Sequence, residues 1–327
     1  MAFLTRNWFP IGLVLSFIAG YLLRGPGGAL DAGSVASNAV VVVVFLITGY
    51  TMPTEALVRG LTDIRLHVYM ELFIFGVFPL YVFATTLLLG DLFRPEVIAG
   101  LYALAVLPTT IASCTIFTQA TGGNVAGTMF NAAFSNLIGV FLSPLLLSIL
   151  LQSSGRALPV EQLTGIFVRL VLLMVAPIAV GQTLRRRFST FAHRHGAVLR
   201  KSTSVAILLV VFFAVARAAG EEAFVGNLAS MGAPGVYLVV SHLLLLALAW
   251  GGARALRLGR ENELAVVFTA PHKTLALGAP LVSVYFADRP EVAGIALLPV
   301  ILYHLIELLV AGVIRSGVYR TLLQDRS

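Results

Sequence analysis

The residue types that could do chemistry are concentrated in two short stretches, each with a proline inside an apolar run. Residues 107–115 read Leu-Pro-Thr-Thr-Ile-Ala-Ser-Cys-Thr, and residues 269–274 read Thr-Ala-Pro-His-Lys-Thr. Proline removes a backbone donor and clashes with the preceding turn, so Pro108 and Pro271 free carbonyl groups. Unwound backbone at membrane depth normally lines a cavity, because unsatisfied groups are costly there. The two stretches therefore indicate an ion or solute site, with a packed proline kink as the alternative.

Lys273 is the most informative of these residues, because it lies about ten residues into its apolar run. A lysine near the middle of a membrane costs roughly 2.5–3.5 kcal/mol to insert. One interpretation is a fixed or titrating cation that binds an anionic substrate or carries a coupled proton. The structural alternative is an ion pair with Glu307 or Glu71.

Several histidines lie near the same runs. His272 adjoins the lysine, while His304 and Glu307 are three residues apart and so share one helix face. Two further metal ligands are not identifiable, which favours a buried hydrogen-bonded pair over a metal site. His242 is interpreted as a packed or capping histidine. No Ser-Lys, His-Glu-x-x-His or paired-aspartate arrangement lies at suitable depth, so an intramembrane enzyme is not expected.

A polar stripe follows the first stretch. After a Thr-Gly-Gly-Asn turn, the next predicted helix carries hydroxyl and amide side chains at spacings of three to five residues, most of them on one stripe. The stripe can face the first stretch and supply neutral oxygens to a cation or substrate, or it can serve helix packing. Its members are Thr128, Asn131, Ser135 and Asn136.

The elements that must position these residues are membrane helices. Of 327 residues, 58% are hydrophobic and 11% charged, with a mean hydropathy of +0.94, whereas soluble domains carry about 25% charged residues. The net charge of +7 lies in short clusters, which argues against nucleic acid, and one cysteine excludes an internal disulfide. We predict an all-α polytopic protein with ten spans of about 20 residues. They cover residues 8–23, 34–52, 66–89, 95–120, 124–151, 165–185, 201–219, 234–256, 264–286 and 292–314.

Charge in the loops predicts the orientation. The loops on the side of both termini carry 15 Lys and Arg and the opposite loops carry 5, so both termini should be cytoplasmic in an inner or plasma membrane. Residues 189–196 are then the main cytoplasmic connection. Ten spans divide into two inverted repeats of five, 1–155 and 156–327, and the interrupted spans four and nine take matching positions.

The two proline stretches resemble motifs of a known family. Residues 107–126, with the Ser-Asn-Leu at 135–137, resemble the central motif of the bile acid:sodium symporter superfamily. Residues 268–280 are similar to the Lys-Thr-Leu signature of its sodium/bile acid cotransporter 7 branch, and the resemblance covers essentially the whole chain. It implies a core domain of spans three to five and eight to ten, and a panel domain of spans one, two, six and seven. Spans four and nine would cross where both unwind, and transport would follow from alternating access.

The resemblance carries sodium ligands over only in part. Ser113 and Thr128 match family ligands, Cys114 replaces an asparagine, and Ala132 stands where a second hydroxyl would be. The acidic ligand of span nine is missing, and Phe268 or Thr269 stands in its place.

The two remaining span-nine positions also differ from the family pattern. His272 aligns with a glutamine ligand and Lys273 with the asparagine beside it. A lysine about 4 Å from sodium would repel it by several kcal/mol at an effective dielectric near 20. We predict that at least one sodium site is lost and that the ammonium occupies the space of the ion.

These observations predict a secondary active transporter of a small anionic organic solute, coupled to sodium, to protons or to neither, without another cofactor. Its partners are the solute and the bilayer, not nucleic acid. One alternative is a sodium symporter with a site rebuilt from Ser113, Thr128, Asn131 and backbone carbonyls of span nine. Another is a regulatory membrane protein that affects ion homeostasis without transport. The predicted crossover site comprises Pro108, Thr109, Thr110, Ser113, Cys114, Thr115, Thr128, Asn131, Ser135, Pro271, His272, Lys273 and Thr274, with Glu71, His304 and Glu307 as charge partners.

Overall fold

A computed structural model describes residues 8–31, 35–51, 63–154, 164–165, 168–219 and 231–315. Within these residues all regular secondary structure is helical. Both termini and the predicted join at 155–156 lie outside the described residues. The α-helices are α1 Trp8–Leu22, α2 Arg24–Leu30, α3 Val35–Thr51, α4 Ile64–Leu72, α5 Phe78–Leu89, α6 Pro95–Ala105, α7 Ile111–Thr121, α8 Val125–Ser153, α9 Ala176–Arg187, α10 Ser189–Ala218, α11 Gly232–Ala255, α12 Arg260–Thr269, α13 Leu275–Tyr285 and α14 Pro290–Val313.

Helix length and apolar composition confirm an integral membrane protein. Six stretches of the described chain are long and apolar enough to cross a bilayer, and four shorter apolar helices accompany them. The arrangement of ten spans in two inverted repeats stays a prediction. The six are Ile64–Leu92, Val125–Ser153, Val168–Arg187, Arg194–Ala218, Gly232–Ala255 and Pro290–Val313.

Two of the predicted spans are each divided into two short helices. The chain leaves the helical conformation between α6 and α7, and again between α12 and α13. The residue before each second helix is an extended threonine with nearly identical geometry: φ −84°, ψ 128° at Thr110 and φ −85°, ψ 128° at Thr274. The two breaks therefore end alike, with an extended threonine before the second helix, but only Thr274 caps that helix, by accepting from the Ala276 amide.

The breaks are shorter than the sequence motif. We expected Ser113 to lie in the unwound part, but α7 begins at Ile111, so Ser113, Cys114 and Thr115 are helical. The reason is that Pro108 disturbs only its own turn, and no helix breaker follows it before the glycines at the end of α7.

The predicted connection at 189–196 is also helical. A single helix, α10, runs from Ser189 through the connection and into the next span. The preceding helix ends at Arg187, where Phe188 takes φ −127° and ψ 43°. Residues 189–200 contain no proline, so nothing stops the helix once it begins.

The loops at one end of the bundle contact one another. Asn262 donates to Asp63 at 2.7 Å, and Asn124 donates to Asn262 at 2.8 Å, which joins the starts of α4, α8 and α12. Arginines lie beside two of these three positions, at Arg65 and Arg260. Phe188, at the end of the arginine-rich α9, lies at this end too, because its carbonyl accepts from Tyr50 at the end of α3. We call it the basic end.

The opposite end is held by arginine. Arg217 of α10 donates to the Ala287 carbonyl at 2.9 Å and lies 3.8 Å from the buried carboxylate of Asp31. Arg169 pairs with Asp288 at 3.3 Å. The division of the loops into two sets, and which end faces the cytoplasm, stay predictions.

Glycines allow two pairs of helices to pack backbone against backbone. Gly49 of α3 lies against Ile178 of α9, and Gly181 of α9 lies against Leu46, so a Cβ at either glycine would meet a main-chain carbonyl oxygen. Gly100 of α6 lies in the same way against Ala296 of α14, which is buried along most of its length. Close approach at small residues is how membrane helices gain packing energy.

Candidate functional site

The two breaks lie against each other and are joined by hydrogen bonds. The Thr274 amide donates to the Pro108 carbonyl at 2.8 Å. Thr109 Oγ1 donates to the Thr269 carbonyl at 2.7 Å, and Thr110 Oγ1 donates to the Lys273 carbonyl at 3.2 Å. Residues of each break therefore satisfy backbone hydrogen-bonding groups of the other.

Every carbonyl from residue 105 to residue 109 has a donor from elsewhere in the chain. Besides the Thr274 amide, the donors are Ser143 Oγ to residue 106 at 2.7 Å, Asn136 Nδ2 to residue 109 at 2.7 Å, and Lys273 Nζ to residues 105 and 107. Buried backbone groups must find such partners. The first break is thus sealed by protein in this conformation.

The Lys273 side chain occupies the centre of the crossing. Its ammonium donates to the carbonyls of Ala105 at 2.9 Å, Leu107 at 2.8 Å and Ile74 at 3.0 Å. It also lies 4.0 Å from the centroid of the Phe78 ring. An ammonium has three donors, and these three acceptors use all of them. A cage of carbonyls and an aromatic face is a typical cation environment.

The Ile74 carbonyl was not expected at the site. A π-helical turn, Phe73–Val77, separates α4 from α5, and the Phe78 amide donates to residue 73 instead of residue 74. The next amide would be at Pro79, which has none, so the carbonyl of Ile74 is left for the lysine. Pro79 was the signal in the sequence that could have revealed it.

Glu307 is linked to the lysine through the backbone. Its Oε2 accepts from the Lys273 amide at 2.7 Å, and its Oε1 is 2.7 Å from His304 Nδ1. His304 and Glu307 thus form a hydrogen-bonded pair that also holds the second break. Both Glu307 and Glu71 are within electrostatic range of Lys273, although neither carboxylate forms a direct ion pair with the ammonium in the described residues, so the ion-pair alternative stays a prediction.

Glu71 and His272 differ from this pair. Both carboxylate oxygens of Glu71 and both ring nitrogens of His272 are buried without a hydrogen-bond partner among the described residues. Glu71 is one helical turn before Ile74 and within electrostatic range of Lys273. Polar atoms left in this way are uncommon and mark positions where a proton or ligand would change the energy.

A second chain of hydrogen bonds closes the far side of the crossing. Tyr303 of α14 donates to the Pro271 carbonyl at 2.7 Å, and its oxygen lies 3.0 Å from His242 Nδ1. Because the tyrosine proton is used on Pro271, His242 must donate to the tyrosine oxygen. His242 is thus a buried partner of Tyr303, in line with its interpretation as a packed histidine.

The candidate sodium ligands do not contact one another. Thr128 donates to Thr118 at 3.1 Å and lies 3.5 Å from Thr269 Oγ1. Asn131 contacts His67 at 2.9 Å through its amide nitrogen, on the α4 side of α8. Ser113 Oγ and Asn131 Oδ1 have no hydrogen-bond partner in the described part of the chain.

The other predicted site residues have local roles. Cys114 is buried and lies 3.3 Å from Thr109 Oγ1, so its thiol donates to that hydroxyl. Thr115 and Ser135 donate to carbonyls of their own helices. No group of three or more His, Cys, Asp or Glu able to hold a metal occurs in the described residues.

Comparison with known proteins identifies the family. The model of the SBF-like CPA transporter family matches residues 7–320. An uncharacterised protein of Pseudomonas aeruginosa is 31% identical over 314 residues, covering 95% of this chain and 92% of that protein. Sodium/bile acid cotransporter 7 of Xenopus tropicalis is 27% identical over 323 residues, covering 95% and 91%. The corresponding protein of Rattus norvegicus is 26% identical over 316 residues, covering 94% and 91%.

These matches confirm the resemblance inferred from the two proline motifs. The named relatives are cotransporters, which agrees with the absence of an enzyme signature in the sequence. Since the family model covers nearly the whole chain, the chain belongs to the SBF-like CPA transporter family.

Proposed function

We propose that the protein is a secondary active transporter of a small anionic organic solute, working by alternating access. The ammonium of Lys273 would take the place of part of the sodium site at the crossing. Transport would then not depend on a sodium ion at that position. The solute would bind beside the crossing, on the surface that the core domain presents to the panel domain.

The observation that supports this proposal is the coordination of Lys273. Three carbonyl oxygens at 2.8–3.0 Å surround its nitrogen, and all three are free because a helix is interrupted. All three donors are used, so the lysine has none left for a substrate carboxylate in this conformation. The role that fits is a fixed cation that stabilises the crossing.

Uptake into proteoliposomes tests the proposal. A panel of radiolabelled organic anions that includes a bile salt would be offered with inward sodium, with potassium in its place, and with an imposed pH gradient. We expect uptake of at least one anion whose rate is unchanged when potassium replaces sodium. Protein-free vesicles and heat-denatured protein are the controls for leak and adsorption.

Sodium coupling through a rebuilt site is the second candidate function. The oxygens of Ser113 and Asn131 that have no partner among described residues favour it, as do relatives named sodium/bile acid cotransporters. Uptake that stops when potassium replaces sodium would select this candidate. A protein that takes up none of the anions, and whose melting temperature none of them raises, would instead fit a regulatory role.

A further inference from the structure

An apolar groove lies between three helices at the basic end, well away from the crossing. Its volume is about 430 Å³, within the range of small-molecule sites. The lining residues are Leu46, Ile47 and Tyr50 of α3, Leu184 of α9, Phe188, and Phe191 and Leu199 of α10. The two phenylalanines are 53% and 52% exposed, so large apolar surface remains open at the groove.

Hydrogen bonds between helices hold the walls in place. Tyr50 Oη donates to the Phe188 carbonyl at 2.9 Å, and Arg185 Nη1 donates to the Tyr50 carbonyl at 3.3 Å. One turn deeper, Gln182 Nε2 donates to the Gly49 carbonyl at 2.7 Å. The groove is therefore formed by α3 and α9 before anything binds, which reduces the entropy cost of binding.

Exposed arginines lie next to the groove residues in the chain. Arg186 and Arg187 are exposed and lie between the lining residues Leu184 and Phe188. Arg194 is exposed and three residues after Phe191, so it lies on the same face of α10. Aromatic side chains beside arginines are typical of the level where lipid headgroups meet hydrocarbon.

We propose that the groove binds an anionic phospholipid, with one acyl chain along the apolar wall and the phosphate against Arg186, Arg187 and Arg194. The groove supplies only apolar contacts and one phenol, which suits a hydrocarbon chain. Three guanidinium groups at its border suit a phosphate better than a zwitterionic headgroup. The lipid would hold the ends of α3, α9 and α10 together at the basic end.

Native mass spectrometry of the purified full-length protein tests this. Phosphatidylglycerol, phosphatidylcholine and glycerol 1-phosphate would be titrated separately, and melting temperature followed in parallel. We expect bound phosphatidylglycerol and a raised melting temperature, with at least tenfold weaker phosphatidylcholine binding. Arg186→Gln with Arg187→Gln should weaken phosphatidylglycerol binding by about tenfold or more, since each basic residue near an anionic lipid contributes.

Matched variants distinguish lipid binding at the groove from non-specific attraction of anionic lipid to positive charge. Arg257→Gln with Arg260→Gln removes the same charge from another exposed loop at the basic end and should leave the affinity unchanged. Leu184→Trp fills the groove from a position that is already 40% exposed and should reduce lipid binding with the arginines intact. A variant enters the comparison only if its melting temperature in detergent alone matches the wild type.

Three results would overturn the proposal. One is equal binding of phosphatidylcholine and phosphatidylglycerol, which would mean ordinary contact with the bilayer. Another is equal stabilisation by glycerol 1-phosphate, which would mean an anion site without a lipid chain. The third is unchanged phosphatidylglycerol affinity in the Arg186 and Arg187 double variant or in Leu184→Trp.

Discussion

Replacing Lys273 by methionine should destabilise the protein by an amount that its contacts allow us to work out. The change keeps most of the side-chain volume but removes the donors to Ile74, Ala105 and Leu107. An unsatisfied buried group costs about 1–3 kcal/mol, so three cost about 3–9 kcal/mol. Removing the ammonium also removes the cost of placing a charge at membrane depth, which stabilises the variant by about 3 kcal/mol. The expected net loss is about 3 kcal/mol.

Thermal unfolding in detergent measures this loss. At about 2 °C per kcal/mol for a large domain, the melting temperature should fall by about 6 °C. Lys201→Met is the control, because Lys201 is exposed and lies 5.7 Å from the Trp8 ring centroid. An exposed cation beside an aromatic ring is worth about 0.5–1 kcal/mol, so that variant should change little.

Sodium distinguishes a cation cage from ordinary packing. In Lys273→Ala the three carbonyls face space that a small cation can enter, and carbonyl oxygens are suitable sodium ligands. Sodium at about 100 times its Kd would restore about 2.7 kcal/mol. We expect sodium chloride to raise the melting temperature of Lys273→Ala more than choline chloride does. In the wild type the two salts should have the same effect. Equal responses of both proteins, or a Lys273→Met variant as stable as the wild type, would refute the reasoning.

Three further predictions compare matched variants by thermal unfolding. Glu307→Gln should lose about 1–3 kcal/mol of stability, because both carboxylate oxygens accept hydrogen bonds. Glu71→Gln should keep or gain stability, because its oxygens have no partner among described residues. A larger loss in Glu71→Gln than in Glu307→Gln would contradict this. Gly181→Ala should lose about 1–3 kcal/mol of stability, since its Cβ would meet the α3 backbone. Gly251→Ala should gain up to about 1 kcal/mol, because its Cβ would have nothing within 4 Å. Similar effects at both glycines would show that close packing is not the cause. Arg217→Gln should lose about 3–5 kcal/mol of stability, because it leaves the buried Asp31 carboxylate without its cation. Arg169→Gln breaks an exposed ion pair and should lose less than about 1 kcal/mol. The reverse order would be inconsistent with the burial of Asp31.

The breaks could be predicted because proline acts on its own turn. Pro144 and Pro299 also lie in apolar runs, yet both are inside continuous helices. What distinguishes Pro108 and Pro271 in the sequence is the polar residues that flank them, and these together with the proline indicated the breaks. The polar partners of a break are harder to predict, because they come from other helices. Ser143 and Asn136 of α8 reach carbonyls of the first break, and no pattern within either segment reveals the pairing.

Two features were misjudged for a related reason. The π-helical turn before Pro79 was missed, because a hydropathy pattern does not show which backbone amide donates to which carbonyl. Residues 189–196 are polar and basic, which is typical of a loop, yet they continue a helix whose apolar part begins later. Most of these residues are weak helix formers, so neither hydropathy nor helix propensity predicts the helix; the segment only lacks a proline that would stop it.

Two of the four residues that donate to carbonyls of the first break, Lys273 and Thr274, are made late in synthesis. Lys273 and the Leu107 carbonyl that it contacts are 166 residues apart in the chain. At a synthesis rate of roughly 5–20 residues per second, the first half waits about 10–30 s for its lysine. During that interval the carbonyls of residues 105 and 107 need other donors, such as nearby backbone amides or water. The first half therefore reaches its final structure only together with the second half, and a chain that stops before Lys273 should be less stable than the full-length protein.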